Sequence, residues 1–304
     1  MTIPVALPIG QSGLEFVTVG GRRQWRDVPS RNILDVIDPV ASDHTAAVRQ
    51  AYLDHAHWHV PPDTTVRVAH GDIGLFTAPF VNASIVIPQG GSLAGQDAKT
   101  SIVQIIDDYY STPASLDYDR AVFSLGGPKP QQAIRGLIFR GAGGTPMPNR
   151  QGQGTIFWER NVPTVLSDFL PSVVLFEDCL FTESSGFSIH TLFARVHTRR
   201  CSFVDMGNGW NVNGNGIMLT ECHFLRSEGA ECGGHLPQIV RNLFEEANGI
   251  AGSLGGYFTP DRPEYHSGIF GWNVVLGSTG VGCSVAESMS DAKIVHNYFE
   301  RTVN

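Results

Sequence analysis

Between residues 173 and 304 the apolar positions recur with a period too long for any single helix or strand. The segments VVLFEDCLF, ARVHTRRCSF, GIMLTECHF, PQIVRNLF, GWNVV and KIVHNYF align one under another. Each closes on an apolar residue: Phe181, Phe203, Phe224, Phe244, Val275 and Phe299. Two places earlier stand Cys179, Cys201 and Cys222, then Asn242, Asn273 and Asn297, at steps of 22, 21, 20, 31 and 24 residues. A repeat of this length marks a solenoid, in which each unit buries its core only against its neighbours. Within each unit a glycine follows the apolar residue and leads into an alternating run: Gly186-Phe187-Ser188-Ile189, Gly209-Trp210-Asn211-Val212, Gly229-Ala230-Glu231-Cys232, Gly249-Ile250-Ala251-Gly252 and Gly280-Val281-Gly282-Cys283. Alternation predicts half-buried strands and the glycine predicts a turn, so each unit holds at least two strands and two bends. The leucine signature of leucine-rich repeats is missing. The fold class predicted is all-β: a right-handed, single-stranded parallel β-helix.

The pattern divides the chain in three. Residues 1–40 read as irregular, with Gly20-Gly21 and two prolines breaking periodicity. Residues 41–132 hold a short N-terminal capping helix, DHTAAVRQAYLDHA, capped by Ser42 or Asp43, with Ala47, Val48, Ala51 and Tyr52 on one face. The first strands of the coil follow it, and 107–132 reads as a loop. Residues 133–304 are β-helix rungs, and no cap is visible after Phe299, which points to a C-terminal region beyond Asn304.

Composition narrows the function. A net charge of −8 argues against nucleic acid or an anionic membrane surface as partner. No apolar run is long enough for a spanning helix, and the start lacks the basic and apolar regions of a secretory signal. Cysteines at one core-facing position read as packing thiols. No spacing of His, Cys, Asp or Glu predicts a metal site, and no glycine-rich phosphate loop implies a cofactor.

Two carboxylate-bearing columns follow from the repeat. Three places before the apolar ladder stand Asp178, Arg200, Glu221, Arg241, Trp272 and His296; their alternating charges predict an ion-paired outer column, which sets Asp178 and Glu221 aside. Two places after the ladder stand Glu183, Asp205, Arg226 and Glu246. With rungs about 4.8 Å apart, Asp205 and Glu246 fall roughly 9 to 10 Å from each other. Glycosidases use two carboxyl groups about 5–5.5 Å or about 6.5–9.5 Å apart, one with a raised pKa. Asp205, Glu228, Glu231 and Glu246 are therefore the candidate catalytic residues. Glu231 leads, because it faces outward on a strand whose corresponding positions carry Ser188, Asn211, Ala251 and Gly282. Trp210 should face the core. Asn211 and Arg226 are candidate substrate contacts. So are Tyr257, Arg262, Tyr265 and His266, on the insertion 253–268 that lengthens one repeat to 31 residues.

The segment DHTAAVRQAYLDHAHWHVPP, followed by IVIPQGGSLAGQ and SIVQII, resembles the opening turn of pectate-lyase-like β-helices. GLEFVTVGGRRQWRDV before it is similar to the stretch preceding that helix in bacteriophage tailspike proteins. His44 departs from the usual second aspartate, and Asp63 stands where a glycine usually follows the paired prolines. The resemblance implies a tailspike-like depolymerase, located in a virion tail and assembled as a homotrimer, that cleaves a bacterial surface polysaccharide such as capsule or O-antigen. The paired carboxylates favour hydrolysis. The alternatives are a polysaccharide lyase on the same fold, for which Tyr265, His266 and Arg262 are the available groups, and a non-catalytic structural or receptor-binding virion protein.

Overall fold

The structure, a computed structural model, describes residues 12–72, 84–107, 120–127, 131–142, 155–159, 173–184, 186–191, 194–255, 267–285, 289 and 291–300. The chain winds into a right-handed parallel β-helix with three strands per turn, one more than the repeat alone required. One turn runs Val174–Glu177, Leu180–Thr182 and Phe187–Thr191; the next runs Val196–Arg199, Ser202–Val204 and Asn208–Asn215. Stacked turns give three sheets of ten, nine and nine strands, here called the first, second and third in the order the chain visits them. Val174 pairs with Val196, Phe181 with Phe203 and Ile189 with Trp210, each one rung apart.

Inside, like residues stack on like. Phe139, Phe181, Phe203, Phe224 and Phe244 form one column, with ring centroids 4.5 to 5.1 Å apart from each to the next. All five are fully buried. The geometry follows from the rung spacing, which brings offset aromatic faces to their preferred separation. Beside them the thiols Cys179, Cys201 and Cys222 are free and buried. They lead into an amide ladder, as the shared offset in the sequence predicts. Cys222 N donates to Asn242 Oδ1 at 2.9 Å, Asn242 N to Asn273 Oδ1 at 2.9 Å and Asn273 N to Asn297 Oδ1 at 2.9 Å. Each amide thereby satisfies a backbone N–H that the bend would otherwise leave unpaired. Trp210 lies in this core, its Nε1 donating to Thr198 Oγ1 at 3.0 Å.

The corners explain why polar residues recur between strands. At the bend from first to second sheet, Asp63, Asp178, Arg200, Glu221, Arg241, Trp272 and His296 all hold left-handed backbone, φ 51° to 59°, with Gly136 at 64°. At the bend from second to third sheet Glu183, Asp205, Arg226 and Glu246 do the same, φ 48° to 57°. A single left-handed residue turns the chain sharply while its N–H still reaches the next rung, as in Arg226 N to Glu245 O at 3.0 Å. The left-handed state costs a non-glycine residue roughly 1–2 kcal/mol. The sharp turn is therefore made before the repeat glycines, by these charged residues, although Gly249 among those glycines also holds positive φ, 105°. Gly209 and Gly229 serve close approach instead: a Cβ on either would strike the backbone of the following rung, at Glu228 and Gly229 or at Ile250 and Ala251.

The described residues 12–29 of the N-terminal stretch are not irregular, and residues 1–11 lie outside the described residues. Ser12–Val19 and Arg22–Pro29 form an antiparallel hairpin across Gly20-Gly21, both at positive φ. It lies on the outer face of the first sheet, where Leu14 packs with Ala133, Leu175 and Trp25, and Arg135 donates to Ser12 Oγ at 2.7 Å. Its strands alternate too weakly for the pattern to be read in advance. The segment expected to be a loop contains the buried strand Arg120–Leu125 of the third sheet. Thus the coil starts before residue 133: His57–Val60 pairs with Ser92–Gly95, and that strand with Ala133–Arg135. The helix spans Thr45–Asp54 and buries Val48, Ala51 and Tyr52. Its N-cap position is held by His44 and not by Ser42 or Asp43, though Asp43, one place earlier, accepts from Thr45 N at 2.8 Å. His44 is buried beneath it, Nδ1 accepting from Arg67 N at 3.0 Å and Nε2 meeting Asp38 O at 2.9 Å. Among the described residues no helix is long and apolar enough to cross a membrane.

Candidate functional site

The candidate acids separate into two groups. Asp205, Arg226 and Glu246 follow one another along the second-to-third corner, one per rung, as the spacing predicts. Arg226 fills the rung between the carboxylates and grips Asp205 with two parallel bonds, Nε to Oδ1 at 2.7 Å and a terminal nitrogen to Oδ2 at 2.9 Å. This hydrogen-bonded guanidinium holds the Asp205 carboxyl below its ordinary pKa, so the group stays ionised. Glu246 is exposed on the far side of Arg226. The column is thus ion-paired at its centre, much as the other corner is, where Arg200 binds Asp178 at 2.8 and 3.0 Å and also contacts Glu177.

Glu228 and Glu231 form the second group. Gly229 and Ala230 are buried between them, and Gly229 permits the chain to press against the next rung while both glutamates remain half-buried. Burial pushes the Glu228 carboxyl up to about 7, with repulsion from Glu231 adding to it. Burial also raises Glu231, but Asn211 opposes the rise by donating from Nδ2 to Oε2 at 2.8 Å. Two neighbouring carboxyls therefore differ in proton affinity for identifiable reasons. Such a pair can hold one proton and one charge near neutral pH.

The strand register corrects the company Glu231 was expected to keep. Its cross-strand partners are Asn211 on one side and Ser253 on the other, with His190 and Ser284 one rung further out each way. Ser188, Ala251 and Gly282 are each two residues off this column. Turns of unequal length before the third sheet shift the register by two, which preserves the face and changes the neighbour. The outward column thus runs Trp158, His190, Asn211, Glu231, Ser253 and Ser284. Trp158 and His190 stack at 4.5 Å with rings 13° apart, and both are buried. Burial lowers His190 to about 3, so its ring is neutral at ordinary pH. Neither was a candidate from sequence; a register counted from the buried residues, not the glycines, would have found His190.

Tyr257, Arg262, Tyr265 and His266 lie outside the described residues. Among the described residues no cluster of His, Cys, Asp or Glu could hold a metal ion.

No protein-family model matches the chain, and no curated protein matches it. Among solved structures it is similar to the A-module of mannuronan C-5 epimerase AlgE4 from Azotobacter vinelandii, at 14% identity and TM-score 0.44, covering 88% of this chain and 76% of that one. It is similar also to the tailspike protein of an Acinetobacter phage, at 13% identity and TM-score 0.46, covering 93% of this chain and 61% of that one. ORF18 of Geobacillus virus E2 is a third, at 11% identity and TM-score 0.32, covering 95% and 68%. The class of the molecule, a right-handed parallel β-helix, is fixed by its own strand pairing.

Proposed function

We propose that this protein cleaves the glycosidic bonds of a bacterial surface polysaccharide, with Glu228 as general acid and Glu231 as its ionised partner. The observation that carries this reading is the Glu228–Glu231 pair, in which burial and mutual repulsion keep one carboxyl protonated near neutral pH while an amide donor steadies the other. Glycoside hydrolysis asks for two carboxyl groups so divided. Glu228 would pass its proton to the leaving oxygen. Glu231 would either attack the anomeric carbon or take a proton from the attacking water. Asn211 would hold the Glu231 carboxylate in place. Asp205 and Glu246, coupled through Arg226, would border the site without transferring protons. The tailspike-like sequence motifs around the helix support a location in a virion tail and assembly as a homotrimer.

The test incubates the protein with bacterial capsules and O-antigens and follows new reducing ends together with the ultraviolet absorbance of unsaturated products. Reducing ends alone are the expected result. Absorbance would make the protein a lyase, and neither signal would make it a structural or receptor-binding coil. Glu231→Gln and Glu228→Gln should each lower the rate by about a hundredfold or more, the scale of losing a general acid or base.

A further inference from the structure

The outer corner between first and second sheet carries one residue unlike the rest. Trp272 is 52% exposed and holds left-handed backbone, φ 54°. For a bulky side chain that conformation is uncommon and persists only where the surroundings over-determine it, as on the neighbouring rungs of this corner. Here the surroundings are the coil, since Trp272 N donates to Val295 O at 3.0 Å and Arg241 N to Gly271 O at 3.1 Å. The indole stacks on His296 of the next rung, centroids 5.4 Å apart and planes 23° from parallel. On its other side is Arg241, also exposed. Two rungs earlier Arg200 is held by Asp178, whereas Arg241 forms no ion pair among the described residues. Glu221 stands on the rung between Arg200 and Arg241. The result is a half-exposed indole with one face on an imidazole and the other turned toward a guanidinium, on a different edge of the coil from Glu228 and Glu231.

We propose that Trp272, with Arg241 and His296, is a second carbohydrate-binding site, specific for acidic sugar residues, that holds the polysaccharide away from the cleavage site. The indole face turned away from His296 stacks on a pyranose ring, whose C–H groups meet its electron-rich surface. Arg241 takes the sugar carboxylate through a charge-assisted bond. The ligand class rests on the proposed function; the site itself rests on the corner geometry.

The experiment measures retention of the protein on polygalacturonate, alginate and hyaluronate, each native and with its carboxyl groups reduced to alcohols. Trp272→Asn keeps a residue type tolerant of left-handed backbone. It should weaken binding to at least one native polymer by about tenfold or more, with an unchanged or higher thermal midpoint. Arg241→Gln should abolish the preference for the native over the reduced polymer. Glu228→Gln with Glu231→Gln should leave retention intact. If Trp272→Asn keeps full binding, if the unaltered protein binds none of the polymers, or if the substitution alters only the mass seen by light scattering, the site does not exist and the last result makes Trp272 a subunit contact. Unaltered cleavage by the Glu228→Gln/Glu231→Gln protein, with retention lost in Trp272→Asn, would remove the proposed catalysis and leave this site standing.

Discussion

The second and third sheets stack on the same rungs but differ in kind. From Leu180 to Leu276 every described strand of the second sheet is three residues long, entered through one left-handed residue and left through another. Its inward position is phenylalanine four times before Val275. The third sheet has strands of five, eight, six, three and two residues over the same turns, with approaches of unequal length. Regularity builds the frame and irregularity carries the polar pair. A backbone that must stack identically leaves little freedom for chemistry, whereas a strand with variable turns can set Glu228 and Glu231 side by side.

Breaking the regular sheet should therefore cost most. Phe203→Ala, between two stacked rings in a fully buried column, should lose about 3–5 kcal/mol in denaturant unfolding. A loss as small as that of a surface substitution would mean that the column is not the structural spine. Asn273→Ala should follow at about 1–3 kcal/mol, since it strands Asn242 N–H in a buried site.

The pH dependence of stability should sharpen the contrast, because the two groups of acids have opposite signs. The Glu228 pKa is raised from 4.5 to about 7, so the folded state binds the extra proton between those values and stability falls as pH rises across that window. The fall should be on the order of 1–2 kcal/mol, less than the full shift implies because solvent screens a half-buried group. Glu228→Gln should flatten it. Asp205, whose pKa is lowered from 3.8, contributes stability above that value and loses it as pH drops through the depressed pKa. Smallest of all, Asp205→Asn should leave the midpoint at neutral pH nearly unmoved and remove only a salt-dependent increment, as expected for an exposed pair. A large loss would make the corner column structural.

The same division decides what could be read from the chain. The second sheet was legible because its strands keep one length and one offset from the corner residues on either side, so Phe181, Cys179 and Asn242 declare their columns by offset alone. The place of Glu231 beside Asn211 was legible too, since the two glycines before them stand at equal offsets, but the bond between them was not, because Asn211 was expected to hold a sugar hydroxyl. The identity of the other neighbours of Glu231 was not legible: Gly186, Gly249 and Gly280 stand at different distances from their strands, and aligning them put Ser188, Ala251 and Gly282 where His190, Ser253 and Ser284 belong. Spacing set Arg226 among the carboxylates, where it could neutralise them, but did not single out Asp205 as the one it binds with two parallel bonds. The N-terminal hairpin was hidden because it packs sidelong on the coil, burying Leu14 but leaving most of Arg22–Pro29 outside.

The coupling of Glu228 to Glu231 is the claim on which the chemistry stands, and it can be measured without knowing the sugar. Carboxyl carbon resonances of selectively labelled glutamate, followed by NMR through a pH titration, report Glu228 in the unaltered protein and in Glu231→Gln. The expected result is an apparent pKa near 7 for Glu228 that drops when Glu231 is neutralised. A Glu228 that titrates at its ordinary 4.5 and ignores Glu231→Gln would contradict the account.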